Sequence, residues 1–314
     1  MMHRMGPLAI TWVLVATVST GQPKQTSVVS VSVIVERSEG SFPGQIETRD
    51  VTVVVDGVPR QLLAVEIERR PVSWIVLFDV SMSMLRGGRT GANLAVHDRS
   101  GMVSGMADGF INRLRPRDRV LLMRFAGSQG WTSGAWSENR AETLAAARML
   151  LEPIDPAHAS GPSPIWDAVA SAAQLLESQP VPRAIVLVTD GHATANRLGV
   201  VDAAAEAAER GIPVFAMHEP FWSGSLMDKT LGPGEHFLRP LAARTGGIFR
   251  INDAPTRFGW QDPLPRYDHF IDAMHSRLLL RVDVSGLAPG RYLLEVRTTD
   301  VSLTAHAPAW LWVE

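Results

Sequence analysis

The 314-residue chain contains no cysteine. That removes disulfides, thiol nucleophiles and cysteine-based zinc sites together. Lysine is almost as scarce: Lys24 and Lys229 stand alone, and the other basic residues are scattered arginines. With 30 basic against 32 acidic residues and a formal charge of −2, no whole-chain field draws the protein to nucleic acid or an anionic lipid surface. Several enzyme signatures are also missing. There is no Gly-x-Ser-x-Gly elbow, no phosphate-binding Gly-Lys-Ser/Thr loop and no His-Glu-x-x-His pair, since His218-Glu219 lacks its second histidine.

What is present is ordinary globular material, 46% hydrophobic and 20% charged, which excludes general disorder and fibrous repeats. A chain of this length buries roughly three quarters of its unfolded surface, so it needs no covalent staple. The first residues are different. His3 and Arg4 precede an apolar run from Leu8 to Val18, and Ser19, Thr20 and Gly21 follow it. That order predicts a secretory signal peptide over residues 1–21, cut after Gly21, with an uncleaved anchor as the rival reading. The run is shorter than the about 20 apolar residues of a spanning helix, and no other stretch reaches that length. The expectation is a secreted or periplasmic protein with no membrane span after cleavage.

Residues 22–70 hold β-branched runs at Ser27–Val35, Val51–Val55 and Leu62–Ile67, separated by turn signals at Glu39-Gly40, Pro43-Gly44 and Asp56-Gly57. They predict a small antiparallel unit. Residues 277–314 carry similar strands at Leu278–Val284, Arg291–Thr298 and Ala309–Val313. Between them the rhythm changes. Trp74–Phe78, Val120–Phe125, Ala184–Val188 and Ile212–Met217 are continuous apolar runs, the mark of strands covered on both faces. Helical patterns over Glu138–Leu151, Ile165–Ser178, Val200–Arg210 and Phe237–Arg244 alternate with them. The predicted fold is α/β: a doubly wound, mostly parallel sheet over 71–276, with a satellite β unit built from both ends of the chain.

In such sheets ligands bind beyond the carboxyl ends of the strands. Two of the apolar runs stop at a carboxylate there: Phe78 is followed by Asp79-Val80-Ser81-Met82-Ser83, and Val188 by Thr189-Asp190-Gly191. The alternate spacing of Asp79, Ser81 and Ser83 lets three oxygens converge if the segment curls into a loop. Two carboxylates and several hydroxyls make a hard, all-oxygen donor set, suited to Mg²⁺, Mn²⁺ or Ca²⁺ rather than zinc.

At these residues the chain resembles the von Willebrand factor type A (VWA) domain, most closely its exported bacterial relatives. Asp79-Val80-Ser81-Met82-Ser83 matches the Asp-x-Ser-x-Ser signature of the metal-ion-dependent adhesion site. Gly161-Pro162-Ser163-Pro164-Ile165-Trp166-Asp167 matches the second loop, with Ser163 where the family usually has threonine, and Val188-Thr189-Asp190-Gly191 matches the third. Arg117-Asp118-Arg119-Val120 and Leu241 to Phe249 also fall in the expected order. The resemblance implies Asp79, Ser81, Ser83 and Ser163 as metal ligands, with Asp190 direct or water-bridged. It implies one divalent cation, Mg²⁺ first, and a protein partner whose Asp or Glu carboxylate completes the shell. That is binding and not catalysis. Two other readings stand beside it: an assembly module with a vestigial site, and a metal-dependent hydrolase, for which His192 is the one nearby base. Ser163 also reads as a helix N-cap before Pro164, and Asp167 as a first-turn carboxylate favouring the helix dipole. Leu85–Ser104 reads as a lengthened loop beside the site. Trp131 and Trp136 read either as partner contacts or as core cover.

Overall fold

A computed structural model describes residues 28–85, 100–126, 131–151, 162–219, 233–251 and 267–314. The expected signal segment and residues 86–99 lie outside the described residues.

The chain ends build a β-sandwich. One sheet has the order β13-β1-β11-β4, from β1 (Val28–Arg37), β4 (Leu62–Ile67), β11 (Leu278–Asp283) and β13 (Leu303–His306). The other has the order β14-β12-β2-β3, from β2 (Val51–Val55), β3 (Val58–Arg60), β12 (Gly290–Thr298) and β14 (Trp310–Val313). Alternation drives the packing: Val31, Val33 and Val35 of β1 share one buried core with Val51, Val53 and Val55 of β2 and with Leu280, Val282, Leu311 and Val313. Asp56-Gly57 closes the β2–β3 hairpin with φ of 47° and 77°, the pair of left-handed residues that a two-residue hairpin turn demands. The expected satellite β unit built from both chain ends is borne out: β1, β2 and β4 pair with β11, β12 and β13 from the other end of the chain, and among the described residues up to 70 the one internal pairing is β2–β3. Alternation fixes which face of a strand is apolar, and leaves its neighbour to be chosen by the assembled core.

Between the sandwich segments lies the α/β layer, and the predicted doubly wound fold is borne out. Its strands are β5 (Ser73–Asp79), β6 (Arg119–Phe125), β7 (Trp131–Ser133), β8 (Arg183–Thr189), β9 (Val214–His218) and β10 (Phe249–Ile251), in the order β10-β9-β8-β5-β6-β7. All neighbours are parallel except β7, which is antiparallel to β6. The helices are α1 (Met82–Leu85), α2 (Ser100–Arg113), α3 (Arg140–Leu151), α4 (Ile165–Glu177), α5 (Val200–Glu209), α6 (Pro233–Thr245) and α7 (Tyr267–His275). The central strand β5 is buried throughout. Its Trp74, Val76 and Phe78 face a core with Met106 and Phe110 of α2 and Phe270 of α7, while Ile75 and Leu77 face Val169, Ala173, Ala204 and Leu241 of α4, α5 and α6. A continuously apolar strand is what two covered faces require. Of the span Leu85–Ser104 expected as a loop, Leu85 lies in α1 and residues 100–104 lie in α2; the rest lies outside the described residues. Among the described residues no helix is long and apolar enough to cross a membrane.

Sandwich and α/β layer meet across a polar seam. Glu36 of β1 is buried and accepts hydrogen bonds from Arg250 of β10 and His306 of β13, with the His269 ring of α7 at 3.2 Å. Ile34 of the same strand enters the α/β core.

Candidate metal centre

The chain runs outward from β5 in both lateral directions, to β6 on one side and to β8, β9 and β10 on the other. The switch point between β5 and β8 is where a parallel sheet opens a crevice for ligands. Asp79 ends β5 there, and Thr189 ends β8 with Asp190 next in the chain.

Asp79 is fully buried. Its Oδ1 accepts the Ser81 N–H at 2.9 Å, which curls the chain back directly after the strand, and its Oδ2 accepts the Thr189 hydroxyl at 2.6 Å. The turn sets the Ser81 and Ser83 hydroxyls 3.0 Å apart. Burial, and then the negative charge of Asp190, push the Asp79 carboxyl up to about 7 against the pull of its hydrogen bonds with Ser81 and Thr189. Asp190 is itself buried. One of its oxygens accepts the His192 N–H at 3.0 Å, while Oδ2 is buried and has no hydrogen-bond partner among the described residues. Two carboxylates thus repel each other in a dry environment, and one presents an unused acceptor. Such an arrangement is costly unless a proton or a cation neutralises it.

The second loop is locked to the third by main-chain contacts. The Ser163 N–H donates to the Thr194 hydroxyl at 2.8 Å and the Ser163 carbonyl accepts the Thr194 N–H at 2.9 Å. The Trp166 N–H donates to Asn196 at 2.7 Å, and Asp167 accepts the Arg197 and Leu198 N–H groups. Asp167 is therefore a loop clamp first, and its low carboxyl pKa reflects those bonds working against burial. Ser163 is buried but is not the side-chain cap of α4, whose N-cap position is Pro164 with no capping hydrogen bond.

The third loop is shaped by two glycines. Gly191 has φ of +77°, and a Cβ built on it would stand 2.3 Å from Gly234 Cα in the first turn of α6. The helix therefore sits directly on the Asp190–Gly191 peptide. Beneath it the buried His218 ring places Nε2 3.1 Å from the Asp190 carbonyl, and burial holds the imidazole below its usual pKa.

No protein-family model matches the chain, and no curated protein matches it in sequence. Among solved structures it is similar to the conserved hypothetical protein BatB from Bacteroides thetaiotaomicron, at 23% identity and a TM-score of 0.42, over 58% of this chain and 90% of that one. It is similar in the same degree, 23% identity and a TM-score of 0.42, to an aerotolerance-related membrane protein from Bacteroides fragilis, over 59% of this chain and 92% of that one. The PilB minor pilin from Streptococcus sanguinis overlaps at 16% identity and a TM-score of 0.41, covering 59% of this chain and 57% of the pilin.

Asp79, Ser81 and Ser83 thus form one hydrogen-bonded group, Asp190 couples to it by charge, and Ser163 is tied to the Asp190 loop through Thr194. Among the described residues no three Asp, Glu, His or Cys side chains are arranged to hold a metal, so a cation here would rely on hydroxyl oxygens. The His192 side chain is exposed, and its backbone meets Asp190. Trp136 packs against the core on the α4–α6 face, so it covers the sheet; the Trp131 side chain lies outside the described residues. Sequence reasoning missed Thr189, Thr194, Asn196, His218 and Gly234. The one signal among them was Thr189, whose position before Asp190 places a hydroxyl at a strand end.

Proposed function

We propose that this protein is an exported binding module of the VWA kind. It holds one divalent cation, Mg²⁺ by preference, on Asp79, Ser81, Ser83 and Ser163, with Asp190 bound directly or through a water. The observation that carries the reading is the buried Asp190 Oδ2, an acceptor with no donor beside a second buried carboxylate. When bound, the ion supplies the positive charge that this pair lacks. Two carboxylates only balance the charge of a divalent ion and neutral hydroxyls add none, so the place for an Asp or Glu side chain from a partner protein is an open coordination position. The chain's own residues then orient and neutralise, and the function is capture rather than turnover. Export rests on the order of residues 1–21.

Calorimetric titration of the full chain with Mg²⁺ and Mn²⁺, beside Asp79→Ala, tests this. Saturable binding of about one ion, lost in the variant, is expected. Absence of binding to either ion overturns the reading. A second reading is favoured by one observation: both Asp79 oxygens already accept hydrogen bonds. A purely structural Asp79 predicts that Asp79→Ala lowers stability equally with and without Mg²⁺.

A further inference from the structure

We propose that His218 is a positioning residue for the third loop, holding the Asp190–Gly191 peptide in the orientation that the proposed cation site needs. The inference rests on the metal-binding reading and names a residue outside its ligand set.

The geometry runs through a single peptide unit. Its carbonyl, that of Asp190, faces His218 Nε2 at 3.1 Å. A carbonyl only accepts, so Nε2 carries the hydrogen and donates. The other end of the unit is the Gly191 N–H, which donates to the Thr189 hydroxyl at 3.0 Å. Thr189 spends its own hydrogen on Asp79 Oδ2 at 2.6 Å. A relay therefore leads from His218 across the Asp190–Gly191 peptide to Thr189 and on to Asp79. His218 pairs with Thr189 in the β8–β9 register, and the Glu219 N–H donates to the Thr189 carbonyl at 2.9 Å. The donor and the loop it steadies thus belong to adjoining strands of one rigid sheet.

Core filling alone does not account for an imidazole at this place. His218 is 1% exposed and ends a strand whose other residues, Val214 to Met217, are buried and apolar. An apolar side chain would fill the space beside Phe249, whose ring centroid is 6.2 Å away, at no cost in desolvation. It would leave the Asp190 carbonyl without its side-chain donor. The loop depends on that donor because Gly191 has a left-handed φ and Gly234 presses on it. Glycine lacks the Cβ that would restrict the turn, so the peptide is fixed by its partners, Thr189 at the N–H end and His218 at the carbonyl end.

Two variants separate the donor from the volume. His218→Met fills similar space without an N–H, and His218→Gln restores one. Mn²⁺ affinity of the full chain is measured by calorimetry, and protection of the Gly191 amide by hydrogen exchange. Outer partners of metal ligands typically contribute 10–100-fold in affinity. His218→Met should therefore weaken Mn²⁺ binding by about 10-fold or more and speed Gly191 exchange, and His218→Gln should recover most of both. Equal Mn²⁺ affinity in the Met variant and the wild type overturns the inference and leaves the metal reading intact. Equal loss in both variants, tracking a fall in urea midpoint, also overturns it, since packing then explains the effect. If the wild type binds no Mn²⁺, the metal reading and the positioning role built on it fail together. Unchanged Gly191 exchange in the Met variant would then show that the peptide clamp itself is absent.

Discussion

Asp118, at the amino end of the central sheet, and Asp79, at its carboxyl end, are similarly buried and held under opposite conditions. Asp118 gathers donors from several segments. Its Oδ1 accepts the Val72 N–H at 2.8 Å, and its Oδ2 faces the Arg115 N–H at 3.1 Å, the Trp74 ring N–H at 3.4 Å and His275 Nε2 at 3.0 Å. It ties the entry to β5, the turn before β6 and the end of α7 into one knot. Asp79 accepts two hydrogen bonds and faces another carboxylate whose Oδ2 has no partner among the described residues. A carboxylate that holds a fold together is surrounded by donors. At the carboxyl end that shell of donors is incomplete, and a buried polar group without a partner is the exception in a folded protein.

The comparison can be broken at either end. The largest effect is expected from Asp118→Ala, which strands its donors. It should lower unfolding stability by about 3–5 kcal/mol, because each buried group left unpaired costs about 1–3 kcal/mol. Urea unfolding measures the loss, and Mg²⁺ affinity of the folded fraction should be unchanged. An altered affinity would show that the two ends of the sheet are not independent.

A third buried carboxylate extends the comparison to the seam. Burial alone would raise the Glu36 pKa, but hydrogen bonds with His269 and His306, and then the Arg250 charge, hold it at about 2 against the usual 4.5. A lowered folded-state pKa stabilises the protein above the unfolded value and is lost as pH falls. Glu36 should therefore contribute about 2–3 kcal/mol above pH 4.5 that disappears between 4.5 and 2. Glu36→Gln should flatten that part of the acid-unfolding curve. An unchanged curve would mean that Glu68, also held at about 2 by Arg70, dominates the acid limb.

At the carboxyl end the effect should reverse sign. In chelator, Asp79→Asn removes the repulsion from Asp190 and should hold or raise stability by about 1 kcal/mol. In saturating Mg²⁺ the wild type should be the more stable, because the variant binds no ion. Thermal melts in both conditions check the crossing, and a variant less stable in chelator would make Asp79 a second Asp118. The smallest effect belongs to His192→Ala. An exposed side chain whose backbone meets Asp190 and whose ring reaches the site only by its charge on His218 should change stability by no more than about 0.5 kcal/mol and leave ion affinity alone. A large loss of affinity there would reopen the hydrolase reading.

The central layer was legible because burial on both faces leaves a plain trace. Residues 74–78 and 184–188 are uninterrupted apolar runs, and an aspartate at or just beyond the end of such a strand stands at the rim. Ser81 and Ser83 were legible by their spacing from Asp79. The supports of the site were not. Thr194 and Asn196 look like loop polars until they reach Ser163 and Trp166, some thirty residues back in the chain. Asp118 was visible only as part of a motif, since its donors come from residues 72, 74, 115 and 275.

Local chemistry by itself determined the central strands and four of the helices, which strands are buried on both faces, and that two of those strands run into carboxylates, because periodicity and propensity act over a few residues. The tertiary structure alone decided how strands from the two chain ends interleave, and that Gly234 presses the Asp190 loop onto His218. Those outcomes depend on pairings between residues far apart in the chain, and a side chain carries no record of a distant partner until packing brings the two together.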